Sequence, residues 1–221
     1  MQTIPLEAVE NIRGRISQAM VLAAERFRAH FAATPELAPN ERWRGHLEIQ
    51  AAALLEHARE VRLPSGYRVA YSIDEANRIV QPYVAAIGSS GEGPAGSVSA
   101  SALYPFFQIE RTPQALLEYW LVISEITASS GWAMTRLVAT AAEYDAALKR
   151  MKQPQLVRAL IVSFLPAAEW RDDDTAVLEA TVYTRAQEER IERRSLLLDR
   201  NHELHGHGRE LIAEGQGGVG V

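Results

Sequence analysis

The chain has 221 residues, of which 47% are hydrophobic, enough to bury a full core, so a disordered chain is not expected. A formal net charge of −5 without a Lys/Arg cluster argues against a nucleic-acid partner. The absence of cysteine removes disulfides, thiolate metal sites and a Cys nucleophile.

The opening stretch MQTIPLEAVENIRGR lacks a basic-then-apolar signal pattern and no apolar run approaches a membrane span, so a cytoplasmic protein is expected. Val9, Ile12, Ile16, Met20, Ala23 and Phe27 recur at helical spacing and Pro5 suits a first turn, which predicts a helix over 5–33. After the connector Thr34 to Asn40, Asn40 caps a second helix running to about Val61, with Trp43, Leu47, Ala51, Leu54 and Leu55 on its apolar face. The two helices are expected to pair as a hairpin, a helical extension over 1–62. His30, His46 and His57 lie too far apart in register to form a metal pair.

Leu63-Pro64-Ser65-Gly66 reads as a turn, and Tyr67 to Tyr71 alternates as a short strand. Ser72 and Glu75 stand at capping-box spacing, which predicts a short helix ending by Pro82. The run Ile87 to Gly96, IGSSGEGPAG, has neither a Lys-Ser/Thr pair nor a GxGxxG pattern and reads as a surface loop, not a phosphate cradle. Ser97 to Leu103 alternates small polar and apolar residues and predicts a strand running into Tyr104-Pro105-Phe106-Phe107.

Arg111-Thr112-Pro113 then turns the chain into a helix that is apolar on nearly every side, through Leu116, Leu117, Trp120, Leu121, Val122, Ile123 and Ile126. A helix of that pattern is enclosed by other structure. Glu125 sits in this run beside Ser124 and Thr127. A carboxylate there is costly unless it is paired, neutral or used, so Glu125 is the first candidate site residue, the competing account being an acid at the helix edge in contact with water. Helical spacing continues from Trp132 to Met151, with a bend or break near Ser129-Ser130-Gly131.

Beyond Pro154 the pattern changes to strands. Leu156 to Leu165 is almost continuously apolar, as in a strand covered on both faces. Thr175 to Thr184, Ile191 to Asp199 and Leu204 to Ala213 follow with short polar connections, which predicts an antiparallel meander, and 215–221 reads as a frayed tail. His202, His205 and His207 cluster there, and on a regular strand His205, His207 and Arg209 would share one face. H-x-H without further ligands reads as a solvated strand face, so no metal or other cofactor is expected.

At Pro105-Phe106-Phe107-Gln108 the chain resembles the beta-hydroxyacyl-thioester dehydratases of fatty-acid synthesis. These are hot-dog proteins, in which a curved antiparallel sheet wraps a long central helix. In that family a Pro-Phe-Phe segment leads through a His-Phe-Pro-Gly loop into the helix, whose acid faces the His. The stretch Leu121 to Ala128 is similar to the family's acidic turn and puts Glu125 at its carboxylate, and the resemblance spans roughly residues 97–214. It implies an α+β hot-dog domain over 63–214 behind the helical extension, paired into a homodimer. Where the family has its His this chain has Ile109-Glu110, and the Gly-rich loop is reduced to Arg111-Thr112-Pro113.

What the resemblance implies for function is the binding of an acyl thioester, on coenzyme A or an acyl carrier protein, followed by hydrolysis or dehydration. Glu125 would be the acid/base, assisted by Glu110 or His207. Phe106, Phe107, Trp120 and Leu121 would line the acyl chain. Arg194, with Arg190 and Arg193, would meet the phosphates of coenzyme A or the acidic carrier. Two other readings stay open: a non-catalytic acyl-binding or assembly protein on the same fold, and a cone-shaped α+β protein for small-molecule binding or isomerisation.

Overall fold

Apolar periodicity and capping chemistry resolve into a mixed α+β fold in the computed structural model, which describes residues 1–74, 79–88, 103–128, 134–158, 163–185 and 188–215. The chain divides into two compact units, each discontinuous in sequence. A sheet unit comprises Met1–Val9, Arg111–Leu117 and Gly131–Val221, and a helical unit comprises Glu10–Glu110 and Glu118–Ser130. Among the described residues no helix is long and apolar enough to cross a membrane.

In the helical unit, α1 (Leu6–Ala33) from Glu10 onward and α2 (Pro39–His57) form the expected hairpin. Phe27 meets His46 edge-on at 4.5 Å, and Arg26 pairs with Glu56 at 2.8 Å. Leu47, Ala51 and Leu54 are buried, as the spacing predicts, whereas Trp43 is 41% exposed. The start of α2 differs from expectation. Pro39 takes the first turn, Glu41 reaches back to accept the Ala38 amide at 3.0 Å, and Asn40 lies inside the helix instead of capping it. β2 (Val61–Arg62) pairs with β5 (Gln108–Ile109).

The short helix expected after Ser72 does not form at the described positions. β3 (Tyr67–Asp74) runs through the capping-box serine and pairs antiparallel with β4 (Ile79–Ala86), residue 71 opposite Pro82. Two segments rich in aromatic and β-branched residues gain more from this ladder than from a helical turn. Among the described residues β3 and β4 form a two-stranded ribbon, and a strand at a sheet edge tolerates Pro82. Tyr104–Phe106, expected as a strand end, is a single tight helical turn closed by the Phe107 amide on the Tyr104 carbonyl at 3.1 Å. The strand expected at 97–103 and most of the Gly-rich run lie outside the described residues.

α3 (Pro113–Thr127) begins where Thr112 Oγ1 accepts the Ala115 amide at 3.0 Å, with Pro113 in the first turn. Its enclosed character is as expected: Ala115, Leu116, Leu117, Tyr119, Trp120, Val122, Ile123 and Ile126 are all buried. Residues Glu118 onward belong to the helical unit, where Tyr119 packs on Phe107 and the Tyr71 hydroxyl donates to the Ile126 carbonyl at 3.1 Å. Burial raises the Tyr71 phenol well above its ordinary range.

The sheet unit is a strongly curled antiparallel sheet. Its strands are β1 (Gln2–Thr3), β6 (Met134–Leu137), β7 (Gln155–Leu156), β8 (Ala167–Trp170), β9 (Ala176–Arg185), β10 (Glu189–Leu198) and β11 (Leu204–Gly215). They run in the order β1-β8-β9-β10-β11-β7. β8 and β6 share one edge of β9, the first along Ala176–Glu179 and the second along Val182–Arg185. The meander β9-β10-β11 is the one predicted. α4 (Ala141–Arg150) packs on it through Ala147, beside Met151, Val138, Tyr183, Ile191 and Ala213. Ile191, with no exposed surface, contributes about 2 kcal/mol relative to exposure in water.

Two expectations are corrected in this unit. The helix predicted over 132–151 is instead β6 followed by α4, because the free edge of β9 satisfies the 134–137 backbone and Thr140 starts a new helix by accepting the Glu143 amide at 3.2 Å. The apolar run from Leu156 is not a doubly covered strand: β7 is a short edge strand, Leu156 is 62% exposed, and 159–162 lie outside the described residues.

Candidate functional site

The carboxylate buried in α3 is Glu118, two helical turns before Glu125 and on the same helical face. It is 1% exposed and fully engaged. Its Oε1 accepts from Arg15 Nε at 3.1 Å and Nη2 at 2.5 Å, and its Oε2 accepts the Arg59 and Glu60 amides at 3.0 and 2.8 Å. An acid with both oxygens so occupied has no lone pair aimed at a substrate; it ties α1, the α2–β2 connection and α3 together. Sequence reasoning passed over Glu118 because its partners lie 103, 59 and 58 residues away.

Glu125 is half-buried in the last turn of α3. Glu110 is exposed just ahead of that helix, its amide donating to the Glu60 carbonyl at 3.1 Å. From Pro113 to Glu125 the helix rises about 18 Å, so the two acids stand at opposite ends of α3 and do not form a pair around one reacting centre. Phe107 and Trp120 are core residues, Leu121 is half-buried, and Phe106 is 38% exposed beside Tyr67, ring centroids 5.5 Å apart.

In the sheet unit, the regular alternation expected for His205, His207 and Arg209 is broken. Ser195 pairs with Gly208 and Leu196 with Gly206, so exposed His207 is the extra residue of a bulge. His205 therefore lies opposite Leu197 and Arg209 opposite Arg194, three residues apart on β10, which places them on opposite faces. The arginines expected to meet phosphates are engaged with carboxylates. Arg190 pairs with Glu188, Arg193 with Glu179 at 3.1 Å and Arg194 with Glu192 at 2.5 Å. Donor atoms of Asp199, Glu203 and His205 lie within 4.8 Å of one another, and His205 Nε2 sits 3.0 Å from Asp199 Oδ2. Asp199 Oδ1 also accepts the Asn201 and Glu203 amides, so this cluster secures the β10–β11 turn.

A feature that the motif search missed is a groove of about 500 Å3 in the helical unit, within the size range of small-molecule sites. Glu48, Ala52, Leu55 and Glu56 fall at i, i+4, i+7 and i+8, one face of α2, and form one wall. Arg62, the Leu63–Gly66 turn, Tyr67, Arg68, Val69 and Ile87 supply the other. Gly66, at φ +90°, allows that turn to close: the Tyr67 amide reaches Pro64 O at 3.3 Å and the Ile87 amide reaches Gly66 O at 2.7 Å.

Charges around the groove are mostly matched within the protein. Arg68 pairs with Glu48 at 2.8 Å, and the Arg26 hydrogen bond holds the Glu56 carboxyl below its ordinary range. Exposed Arg62 donates to the Arg59 carbonyl at 3.2 Å and has no carboxylate partner among the described residues. Tyr67 and Ile87 are 41% and 65% exposed on the same wall. The α2 spacing was the available signal, but with no chemical motif attached it reads as an ordinary solvated face. Compared with known proteins, the chain matches no family model, no curated protein and no solved structure.

Proposed function

We propose that this chain is a small-molecule-binding protein that takes an apolar ligand, an acyl chain being one such body, into the groove between α2 and β3. One observation carries the reading: Ala52, Leu55, Leu63, Tyr67, Val69 and Ile87 converge on one concavity, and several of them stand open to water. A ligand covering that surface recovers about 25 cal/mol per Å2 of apolar area. Binding is favoured over turnover there because the two carboxylates that line the groove, Glu48 and Glu56, are engaged by Arg68 and Arg26, and Glu110, Glu125 and His207 are not among its lining residues.

Nile red titration of the purified protein tests this. Saturable fluorescence enhancement is expected for the wild type and for Leu156→Trp, which alters an exposed apolar site elsewhere. It is expected to be lost in Ala52→Trp, where an exposed helix position becomes a plug inside the groove. Equal Nile red binding by Ala52→Trp and wild type would overturn the proposal.

A second reading, thioester hydrolysis or dehydration on a hot-dog-like dimer, is favoured by the Pro105-Phe106-Phe107-Gln108 segment and the half-buried position of Glu125. Turnover of acyl-CoA or hydroxyacyl thioesters that disappears in Glu125→Ala would support it, and turnover indifferent to that change would remove Glu125 from the chemistry.

A further inference from the structure

We infer that the ligand of the α2–β3 groove carries a single carboxylate on its apolar body and that Arg62 holds it; this rests on the binding role proposed above. Four charged side chains line the groove, Glu48, Glu56, Arg62 and Arg68. Three of them are matched within the protein, Glu48 with Arg68 and Glu56 with Arg26. Among the described residues, Arg62 has only a neutral carbonyl acceptor, Arg59 O, on one of its terminal nitrogens. A planar guanidinium with remaining donors fits a carboxylate fork, and binding an anion there requires no existing ion pair to break.

The same wall disfavours the alternatives. A cationic amphiphile would find Glu48 and Glu56 already paired and Arg62 repelling it. A phosphate monoester brings nearly two charges, and the one guanidinium without a carboxylate partner among the described residues balances only one of them, whereas a carboxylate is matched one to one. Tyr67, Leu55 and Ile87 then cover the ligand's hydrocarbon or ring. The class is therefore an alkyl or aryl monocarboxylate, and the site is a carboxylate anchor at the mouth of an apolar groove.

The test is displacement of Nile red from the full chain by dodecanoate, dodecanol and dodecyl phosphate, which share one tail. Because Arg62 is exposed, dodecanoate is expected to displace the dye at about fivefold lower concentration than dodecanol, with the advantage shrinking as salt is raised. In Arg62→Gln the two should become equal, and Arg62→Lys should restore part of the difference. The wild-type comparison stands whatever becomes of the variants. Equal potency of acid and alcohol, tighter binding of the phosphate, a preference surviving in Arg62→Gln, or no displacement by any of the three overturns the carboxylate assignment. Dye binding that ignores Ala52→Trp instead overturns the groove reading itself.

Discussion

Replacing Glu118 by alanine is the most severe single change that the helical unit predicts. The substitution deprives Arg15, itself only 18% exposed, of its partner and leaves the Arg59 and Glu60 amides without an acceptor. Breaking a buried ion pair from one side costs about 3–5 kcal/mol, and an unsatisfied buried donor about 1–3 kcal/mol. The two penalties overlap where the vacated space admits water, so a loss of about 4 kcal/mol is expected, a large part of a typical domain's stability. Glu118→Gln keeps the shape but aims an NH2 at either Arg15 or the two amides, donor against donor, so a loss of about 2 kcal/mol is expected. Urea unfolding followed by circular dichroism gives the total. Native-state hydrogen exchange at the Arg59 and Glu60 amides gives the local effect, which does not depend on the two units unfolding together. A Glu118→Ala protein within about 1 kcal/mol of wild type, or one whose two amides exchange unchanged, would refute the assignment of this carboxylate as the tie between α1, α3 and the α2–β2 connection.

Two further outcomes follow in the sheet unit. Thr140 and Glu143 form a reciprocal cap, Glu143 Oε2 accepting the Ala139 amide at 2.7 Å, so Thr140→Ala is expected to cost about 1 kcal/mol in thermal unfolding; a change near zero would place the start of α4 elsewhere. At Asp199, burial raises the carboxyl, but hydrogen bonds from His205 and the Glu203 and Asn201 amides outweigh it and hold the group below its ordinary value of 3.8. A depressed folded value means that its stabilisation is present above the unfolded carboxylate range and lost as pH falls through the folded value. Protection of the β10–β11 turn amides, measured relative to intrinsic exchange at each pH, is therefore expected to fall only at acid pH, with Asp199→Asn already less protected at neutrality; identical protection profiles for the two proteins would show the network to be irrelevant.

The parts of this fold that were legible in the sequence are those specified by neighbours in the chain. The α1–α2 hairpin, the enclosed α3 and the β9–β11 meander each announce themselves through a local period, and each forms where expected. Two of the misses share a cause: a long-range partner prevailed over a local preference. Ser72 and Glu75 have capping-box spacing, yet β4 offers residues 67–74 a complete ladder. Residues 134–137 have helical spacing, yet half of one edge of β9 is open to them. Local propensities differ by tenths of a kcal/mol per residue, too little to resist a run of strand hydrogen bonds with buried side chains.

The same distinction separates the carboxylate anticipated from the one found buried. Glu125 drew notice because its neighbours in the helix are apolar, but apolar neighbours describe a helix, not the surroundings of one side chain. Glu118 and Glu125 lie seven residues apart on one face, so helical geometry alone cannot decide which is enclosed. The decision comes from Arg15 and the Arg59–Glu60 backbone, which meet the helix at one height and not two turns later. For the groove the logic reverses. Its α2 wall is local and readable as i, i+4, i+7 and i+8, but an exposed Ala-Leu stripe between two glutamates becomes a site only when the Leu63–Gly66 turn closes opposite it. What sets Arg62 apart is likewise relational. Nothing in its sequence neighbours, Val61 and Leu63, marks it out; among the described residues, the pairing of Glu48, Glu56 and Arg68 around the concavity makes it the residue with attraction to spare.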